Sequence, residues 1–99
     1  MRLVQFDFPF SGPFGAEMSA AMADLAQSIA AEPGLLWKIW TENPETGEAG
    51  GVYLFADPAS AEAYIAKHTA RLQAFGVSGI RARSFAVNEA LSRIDRAPL

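Results

Sequence analysis

The sequence has no cysteine among its 99 residues. Disulfides, thiolate zinc sites, iron–sulfur clusters and cysteine nucleophiles are therefore excluded. The fold must be held together by packing alone, which is compatible with a reducing compartment.

Clustered positive charge and long apolar runs are also missing. The chain carries 8 basic and 11 acidic residues, a net charge of −3, and the basic residues are scattered. Nucleic acids and anionic membrane surfaces bind clustered positive charge, so we expect neither as a partner. No apolar run approaches a membrane span, and residues 1–7 lack the apolar segment of a signal peptide. We therefore expect a cytoplasmic protein.

Hydrophobic residues, in contrast, are abundant. They make up 51% of the chain, far more than a disordered chain carries, so a packed core is predicted. A chain of this length leaves no room for a second core, and a single domain over residues 1–99 is expected.

The apolar residues of the first half recur with two periods. Alternation over residues 2–8 predicts a strand, and spacings of three and four over residues 16–31 predict a helix. Two nearly continuous apolar runs, at 35–41 and 51–56, flank a segment rich in turn-forming residues. These runs are typical of a β-hairpin.

A second helix and a last strand complete the pattern. Asp57 followed by Pro58 is a typical helix start, and an apolar stripe continues to Phe75 before Gly76. A strand is predicted over residues 78–87. The order β-α-β-β-α-β predicts an α+β, ferredoxin-like fold, with a four-stranded antiparallel sheet and two helices on one face.

The hairpin strands also predict a homodimer. Only Lys38 interrupts the apolar run LLWKIW, and nothing interrupts GVYLF. Such runs are typical of strands buried on both faces, whereas two helices cover only one face. A second copy of the chain is the simplest cover for the other face and would form a barrel-like dimer. The alternative is a monomer with an exposed apolar face.

His68 is the only histidine, and it lies within the apolar stripe of the second helix, pointing towards the sheet. It could shuttle a proton, donate a hydrogen bond to a ligand or ligate haem iron. The alternative is a core histidine whose nitrogens are satisfied by neighbouring groups.

Aromatic residues offer a second set of candidates. Trp37 and Trp40 are three apart on a strand and should face opposite sides of the sheet, one towards the helices and one towards the dimer interior. They could stack on an aromatic ligand or fill the core. Tyr53 and Tyr64 offer hydroxyl groups near the same layer. The phenylalanines that could line an apolar cavity are Phe6, Phe8, Phe14, Phe55, Phe75 and Phe85. No metal site is predicted, because the acidic residues near the hairpin turn show no metal-binding motif.

Several segments, in one order along nearly the whole chain, closely resemble the YdhR-like mono-oxygenase family. Ser11 and Ala90 depart from the family pattern, which has asparagine and proline at these positions. The segments are 12–15 (GPFG), 32–42 (EPGLLWKIWTE), 48–55 (EAGGVYLF), 67–72 (KHTARL), 88–89 (NE) and 91–92 (LS).

This resemblance implies a homodimeric ferredoxin-like α/β barrel, related to small oxygenases that oxidise aromatic polyketides without metal, flavin or haem. The function it implies is cofactor-independent mono-oxygenation of a small phenol or hydroquinone in an apolar pocket. His68 or Tyr53 would take or hold the proton, and Arg71 would stabilise negative charge. Expected ring contacts are Trp37, Trp40, Phe6, Phe8, Phe55 and Tyr64. The alternatives are a non-catalytic binder of small aromatic compounds and a haem-binding protein.

Overall fold

The computed structural model describes all 99 residues, Met1–Leu99. It has four strands and four helices. In chain order these are β1 (Arg2–Pro9), α1 (Gly15–Ala21), α2 (Ala23–Ala30), β2 (Leu35–Asn43), β3 (Glu48–Phe55), α3 (Pro58–Ala74), β4 (Arg81–Ala86) and α4 (Glu89–Ile94). None of the helices combines the length and apolar character that crossing a bilayer requires.

The four strands form one antiparallel sheet in the order β2-β3-β1-β4. This order and the helices beside the sheet confirm the predicted α+β, ferredoxin-like fold. The strand ends differ by a few residues from the prediction, because the hairpin ladder continues to the pair Asn43–Glu48 next to the turn.

Strand register divides the sheet into an inner face, which carries the core, and an open face. On the inner face, Val4 pairs with Tyr53, and Tyr53 pairs with Lys38. In the next inner row, Gly51 lies between Phe6 and Trp40. On the open face, one row contains Leu3, Leu54 and Trp37, and the next contains Gln5, Val52 and Ile39.

The predicted first helix is divided in two. Met22, with φ −104° and ψ 6°, separates α1 from α2. Backbone hydrogen bonds still bridge the break, since Met22 N–H donates to Met18 O and Ala26 N–H donates to Met22 O. No glycine or proline lies within residues 16–31, so the sequence carries no signal for this break.

Helix α3 begins as predicted. Asp57 Oδ1 accepts a 2.8 Å hydrogen bond from Ser60 N–H, and Pro58 is the first helical residue. The inward stripe of α3 consists of Ala61, Tyr64, His68 and Leu72, all buried. Phe75, expected to continue this stripe, is instead 68% exposed, because the helix ends at Ala74.

The C-terminal segment also differs from the prediction. The last strand covers only Arg81–Ala86, within the predicted range 78–87. After it comes the short helix α4, whose N-cap Asn88 accepts a hydrogen bond from Leu91 N–H. The tail then reaches the far edge of the sheet, where Pro98 O accepts a 2.9 Å hydrogen bond from Trp37 Nε1. This contact lies on the open face.

Two adjacent glycines in β3 provide a test of the packing. A Cβ on Gly50 would overlap the carbonyl oxygen of Phe6, which backbone pairing holds in place. A Cβ on Gly51 would lie 2.7 Å from Lys38 Cε, which can move. We expect Gly50→Ala to lower the free energy of unfolding by about 3 kcal/mol or more, and Gly51→Ala by clearly less. Urea denaturation followed by circular dichroism measures both, and equal losses would contradict this account.

Candidate active site

A cavity of about 370 Å³ lies between the inner face of the sheet and the helices. Its size falls in the range typical of small-molecule sites. Side chains from α1, α2 and α3, and the segment after β1, form its walls. The aromatic wall residues are Phe8, Phe10, Trp40, Tyr53 and Phe75, and the main aliphatic ones are Met18, Met22, Leu25 and Leu72.

No aspartate or glutamate lines this cavity. Its titratable side chains are Lys38, Tyr53 and His68. Arg71 lies directly behind His68, and none of the ion pairs in the structure involves Arg71 or Lys38. The cavity therefore combines apolar walls with an uncompensated positive charge.

His68 is 3% exposed and is held in place by aromatic and cationic neighbours. Its ring stacks on Tyr64, with centroids 5.0 Å apart, and meets Phe6 edge-on at 5.1 Å. Arg71 Nη2 and Nε lie 2.9 and 3.2 Å from His68 Nδ1. Because a guanidinium can only donate, Nδ1 is the acceptor, and the proton of the neutral ring is on Nε2.

The electrostatic environment keeps this ring neutral. Burial, followed by the positive charges of Arg71 and Lys38, lowers the pKa of His68 to about 3. A histidine with so low a pKa, and with Nδ1 already engaged, is a poor base near neutral pH. Its Nε2–H remains a hydrogen-bond donor.

Lys38 reaches the cavity from the edge strand β2. Its Nζ lies 3.3 Å from the centroid of the Trp40 ring and 4.7 Å from that of Tyr53. Burial, followed by the charge of Arg71, lowers the pKa of Lys38 to about 7. Sequence reasoning did not include Lys38 among the site residues. The sequence feature that could have identified Lys38 is that it is the one charged residue in an otherwise apolar run.

The two tyrosines remain protonated at neutral pH. Burial is the main cause that raises the pKa of Tyr53, which lines the cavity. Burial also raises the pKa of Tyr64 to about 12. Tyr64 packs behind Tyr53, with ring centroids 4.9 Å apart, and its buried hydroxyl has no hydrogen-bond partner.

The residues selected from the sequence fall into three groups. The first lines the cavity: His68, Tyr53, Trp40, Phe8 and Phe75. The second lies behind the cavity wall: Phe6, Phe55, Tyr64 and Arg71. The third is on the open face: Trp37 and Phe85, so Phe85 does not line the cavity as predicted. Phe14 packs edge-on against the cavity residue Phe10 without lining the cavity itself. The two tryptophans face opposite sides of the sheet, as expected from their spacing.

The donor set of the site does not suit a metal ion or a haem iron. No three histidine, cysteine, aspartate or glutamate residues lie close enough together to hold a metal. A metal-ligating histidine nearly always donates its second ring N–H to a carboxylate, carbonyl or water. In His68 the second nitrogen instead accepts from the cationic Arg71, which opposes iron ligation at Nε2.

Among solved structures, the fold is similar to two bacterial oxygenase structures. One, from Deinococcus radiodurans, is described as a "putative antibiotic biosynthesis monooxygenase". It is 13% identical, with a TM-score of 0.62, over 89% of this chain and 93% of that chain. The other is a mutant of SnoaB from Streptomyces nogalater, described as a cofactor-independent oxygenase. It is 15% identical, with a TM-score of 0.59, over 88% of this chain and 93% of that chain. At these identities the likeness shows the fold alone.

At the level of sequence, no curated protein matches the chain. The family described as "Putative mono-oxygenase ydhR" matches residues 3–98. This match covers nearly the whole chain and agrees with the resemblance carried by the sequence motifs. The chain therefore belongs to the ydhR mono-oxygenase family.

Proposed function

We propose that the protein is an oxygenase that oxidises a small aromatic substrate with an acidic hydroxyl, such as a phenol or hydroquinone, by direct reaction with O₂ and without a cofactor. The observation that carries this proposal is the cavity itself. Its walls are aromatic and aliphatic, it contains no carboxylate, and its titratable groups are neutral or basic. Such a site favours a flat apolar molecule that carries negative charge on one oxygen.

The proposed reaction needs no external reductant. An ionised phenol is electron-rich enough to pass an electron to O₂, and an activated CH₂ group on the same ring system can supply the remaining electrons. The balance is R₂CH₂ + O₂ → R₂C=O + H₂O. Two C–H bonds break and one C=O bond forms. The substrate loses four electrons, one oxygen atom enters the product, and the other leaves as water.

Each cavity residue has a proposed part in this reaction. Trp40 and Phe8 hold the substrate ring, and the apolar walls exclude water. His68 Nε2–H donates to the substrate oxygen, and its bond from Arg71 supports a role as donor rather than base. Tyr53, which stays protonated, is a second donor at the same layer.

Oxygen uptake tests the role of His68. Within a panel of phenols, hydroquinones and anthrones, we expect wild-type protein to consume O₂ with the members that carry an activated CH₂ group, and to form a product that carries ¹⁸O from ¹⁸O₂. His68→Ala should lower kcat by about 10²-fold or more, because a donor to the developing anion is lost. His68→Gln, whose amide can donate from a position near that of Nε2, should lose less.

The outcomes of that experiment separate the candidate functions. Unchanged turnover in His68→Ala would refute the part assigned to His68. Saturable binding of the panel without oxygen uptake or product would refute catalysis and leave a binding module for small aromatic compounds.

Tryptophan fluorescence tests where the ligand binds. Trp40 lines the cavity, whereas Trp37 lies on the opposite face of the sheet. We expect a bound phenol to quench the fluorescence of Trp37→Phe, which retains Trp40, and to leave that of Trp40→Phe nearly unchanged. Quenching that survives only in Trp40→Phe would place the ligand on the open face and contradict the proposed site.

We also propose that the protein works as a homodimer through the open face. This face exposes large apolar side chains, including Ile39 at 55% and Phe85 at 37%. Polar Gln5 and Arg83 occupy the same row as Ile39, so the patch is mixed at its centre. A second copy would bury the apolar side chains without a further layer from the chain.

Light scattering at micromolar concentration tests the dimer. We expect a mass near twice the 10.6 kDa of one chain. Ile39→Glu, at an exposed position outside the core, should yield monomers with an unchanged circular dichroism spectrum because it places like charges across the interface. A monomeric wild-type mass would refute the dimer.

A further inference from the structure

Lys38 is the one lysine or arginine that lines the cavity, and its amine packs against the faces of the Trp40 and Tyr53 rings. It is a half-buried lysine in an apolar strand, and no carboxylate pairs with it. Lys67 on α3, in contrast, forms an ion pair with Glu32. Since an unpaired ammonium group loses hydration on burial, an apolar residue at position 38 would be the simpler choice for stability alone.

The neighbouring strand β3 has a glycine where a larger residue would contact the Lys38 side chain. Position 51, which pairs with Trp40 and lies next to Lys38 on the inner face, is glycine. A Cβ there would lie 2.7 Å from Lys38 Cε and 3.1 Å from the Tyr53 ring. Gly51 therefore leaves a groove for the aliphatic part of Lys38. The amine at its end is aimed into the cavity between the rings of Trp40 and Tyr53.

We propose that Lys38 accepts the proton of the substrate hydroxyl and holds the resulting anion, so that the site selects phenols and enols over their neutral ethers. This inference rests on the proposed function and deepens it by naming the base and the acidic substrate class. In the transfer, the substrate O–H bond breaks and an N–H bond forms on Nζ. A neutral amine and a neutral phenol become an ammonium and a phenolate.

The surroundings of Lys38 favour this transfer. The titratable or charged groups near Lys38 are Tyr53 on β3, whose ring centroid lies 4.7 Å from Nζ, and His68 and Arg71 on α3, and none of them is a carboxylic acid. The carboxylate acting on this region is that of Glu32, which lies near Tyr64 and is paired with Lys67. No charged residue of α1 or α2 lines the cavity. The positive charge of Arg71 opposes protonation of the empty site and stabilises an anion that enters it. A pKa of about 7 leaves much of Lys38 as the free amine near neutral pH.

His68 cannot take this role. Its Nδ1 already accepts hydrogen bonds from Arg71, and Nε2 carries the proton of the neutral ring. The two residues are therefore assigned complementary parts. Lys38 takes the proton, and His68 donates a hydrogen bond to the oxygen left behind.

Binding of 3-nitrophenol tests the proposal without relying on turnover, because the phenolate of this probe absorbs visible light. At about pH 7.5, where the free probe is mainly neutral, we expect wild-type protein to raise the phenolate-to-phenol ratio of the bound probe about tenfold or more, equivalent to one pKa unit. Lys38→Met should bind the neutral phenol. The ether 3-nitroanisole, which has no proton to lose, should bind both proteins alike.

The variant Lys38→Arg distinguishes a residue that accepts the proton of the substrate from one that only supplies positive charge. Arginine keeps a positive charge but stays protonated, so the proton of a bound phenolate must go to the solvent. A pH indicator in weak buffer should therefore detect nearly one proton released per probe bound by Lys38→Arg, and substantially less with wild-type protein. Arg93→Gln, on α4 and away from the cavity, is the control for a change of charge and should behave as wild type. Circular dichroism checks that every variant is folded.

The outcomes distinguish this proposal from the proposed function. Equal phenolate fractions in wild type and Lys38→Met, or binding of the neutral phenol by wild type, would overturn the role of Lys38. Unchanged oxygen uptake in Lys38→Met would do the same while leaving the oxygenase function intact. Phenolate binding that depends on Lys38, without oxygen uptake from any substrate, would support Lys38 as the base and refute the oxygenase.

Discussion

The hydrogen bonds from Arg71 to His68 Nδ1 are the interaction on which the proposed chemistry of the cavity depends. A guanidinium cannot accept, so this contact fixes the tautomer of His68 and places the proton on Nε2. Burial, followed by the same charge, lowers the pKa of both His68 and Lys38, and no carboxylate forms an ion pair with Arg71. In the proposed mechanism, burial and this one arginine together make the histidine a donor, the lysine a base and the cavity a site for an anion.

The fold supplies the conditions that this interaction needs. Helix α3 presents His68 and Arg71 three residues apart, so both side chains lie over the same part of the inner face. Phe6 and Tyr64 confine the imidazole and exclude water, which strengthens the influence of the nearby charges. The broken first helix adds methionine and leucine side chains to the other wall. The cavity therefore has mainly apolar walls, and the charged groups in and next to it are basic.

Much of this arrangement follows from the sequence because it depends on period and spacing. Two-residue alternation identified β1, and the cap formed by Asp57 and Pro58 identified α3. The break at Met22 could not be predicted, since no helix-breaking residue marks it. The spacing of Trp37 and Trp40 placed them on opposite faces. Which of them faces the cavity depends on the register of β2, where the ladder shifts between Leu35 and Trp37.

The site was predictable in part for the same reason. The inward position of His68 follows from the apolar stripe of α3, but its pKa depends on burial and on charges brought in by other elements. Lys38 stood out in the sequence only as an interruption of an apolar run. The role proposed for Lys38 depends on Gly51 in the neighbouring strand, which leaves space for its side chain, and on a cavity lined by no carboxylate. Neither feature can be read from the sequence of β2 alone.

The ¹⁵N NMR spectrum of His68 is the most direct test of the central claim, because this is the only histidine in the chain. We predict that the His68 ring is neutral, carries its proton on Nε2, and takes up no further proton between about pH 5 and pH 8 in the folded protein. The same ring in Arg71→Met should no longer be held in one tautomer. A His68 that titrates near its usual value of 6.5 in the wild-type protein, or whose Nδ1 carries the proton, would contradict the account.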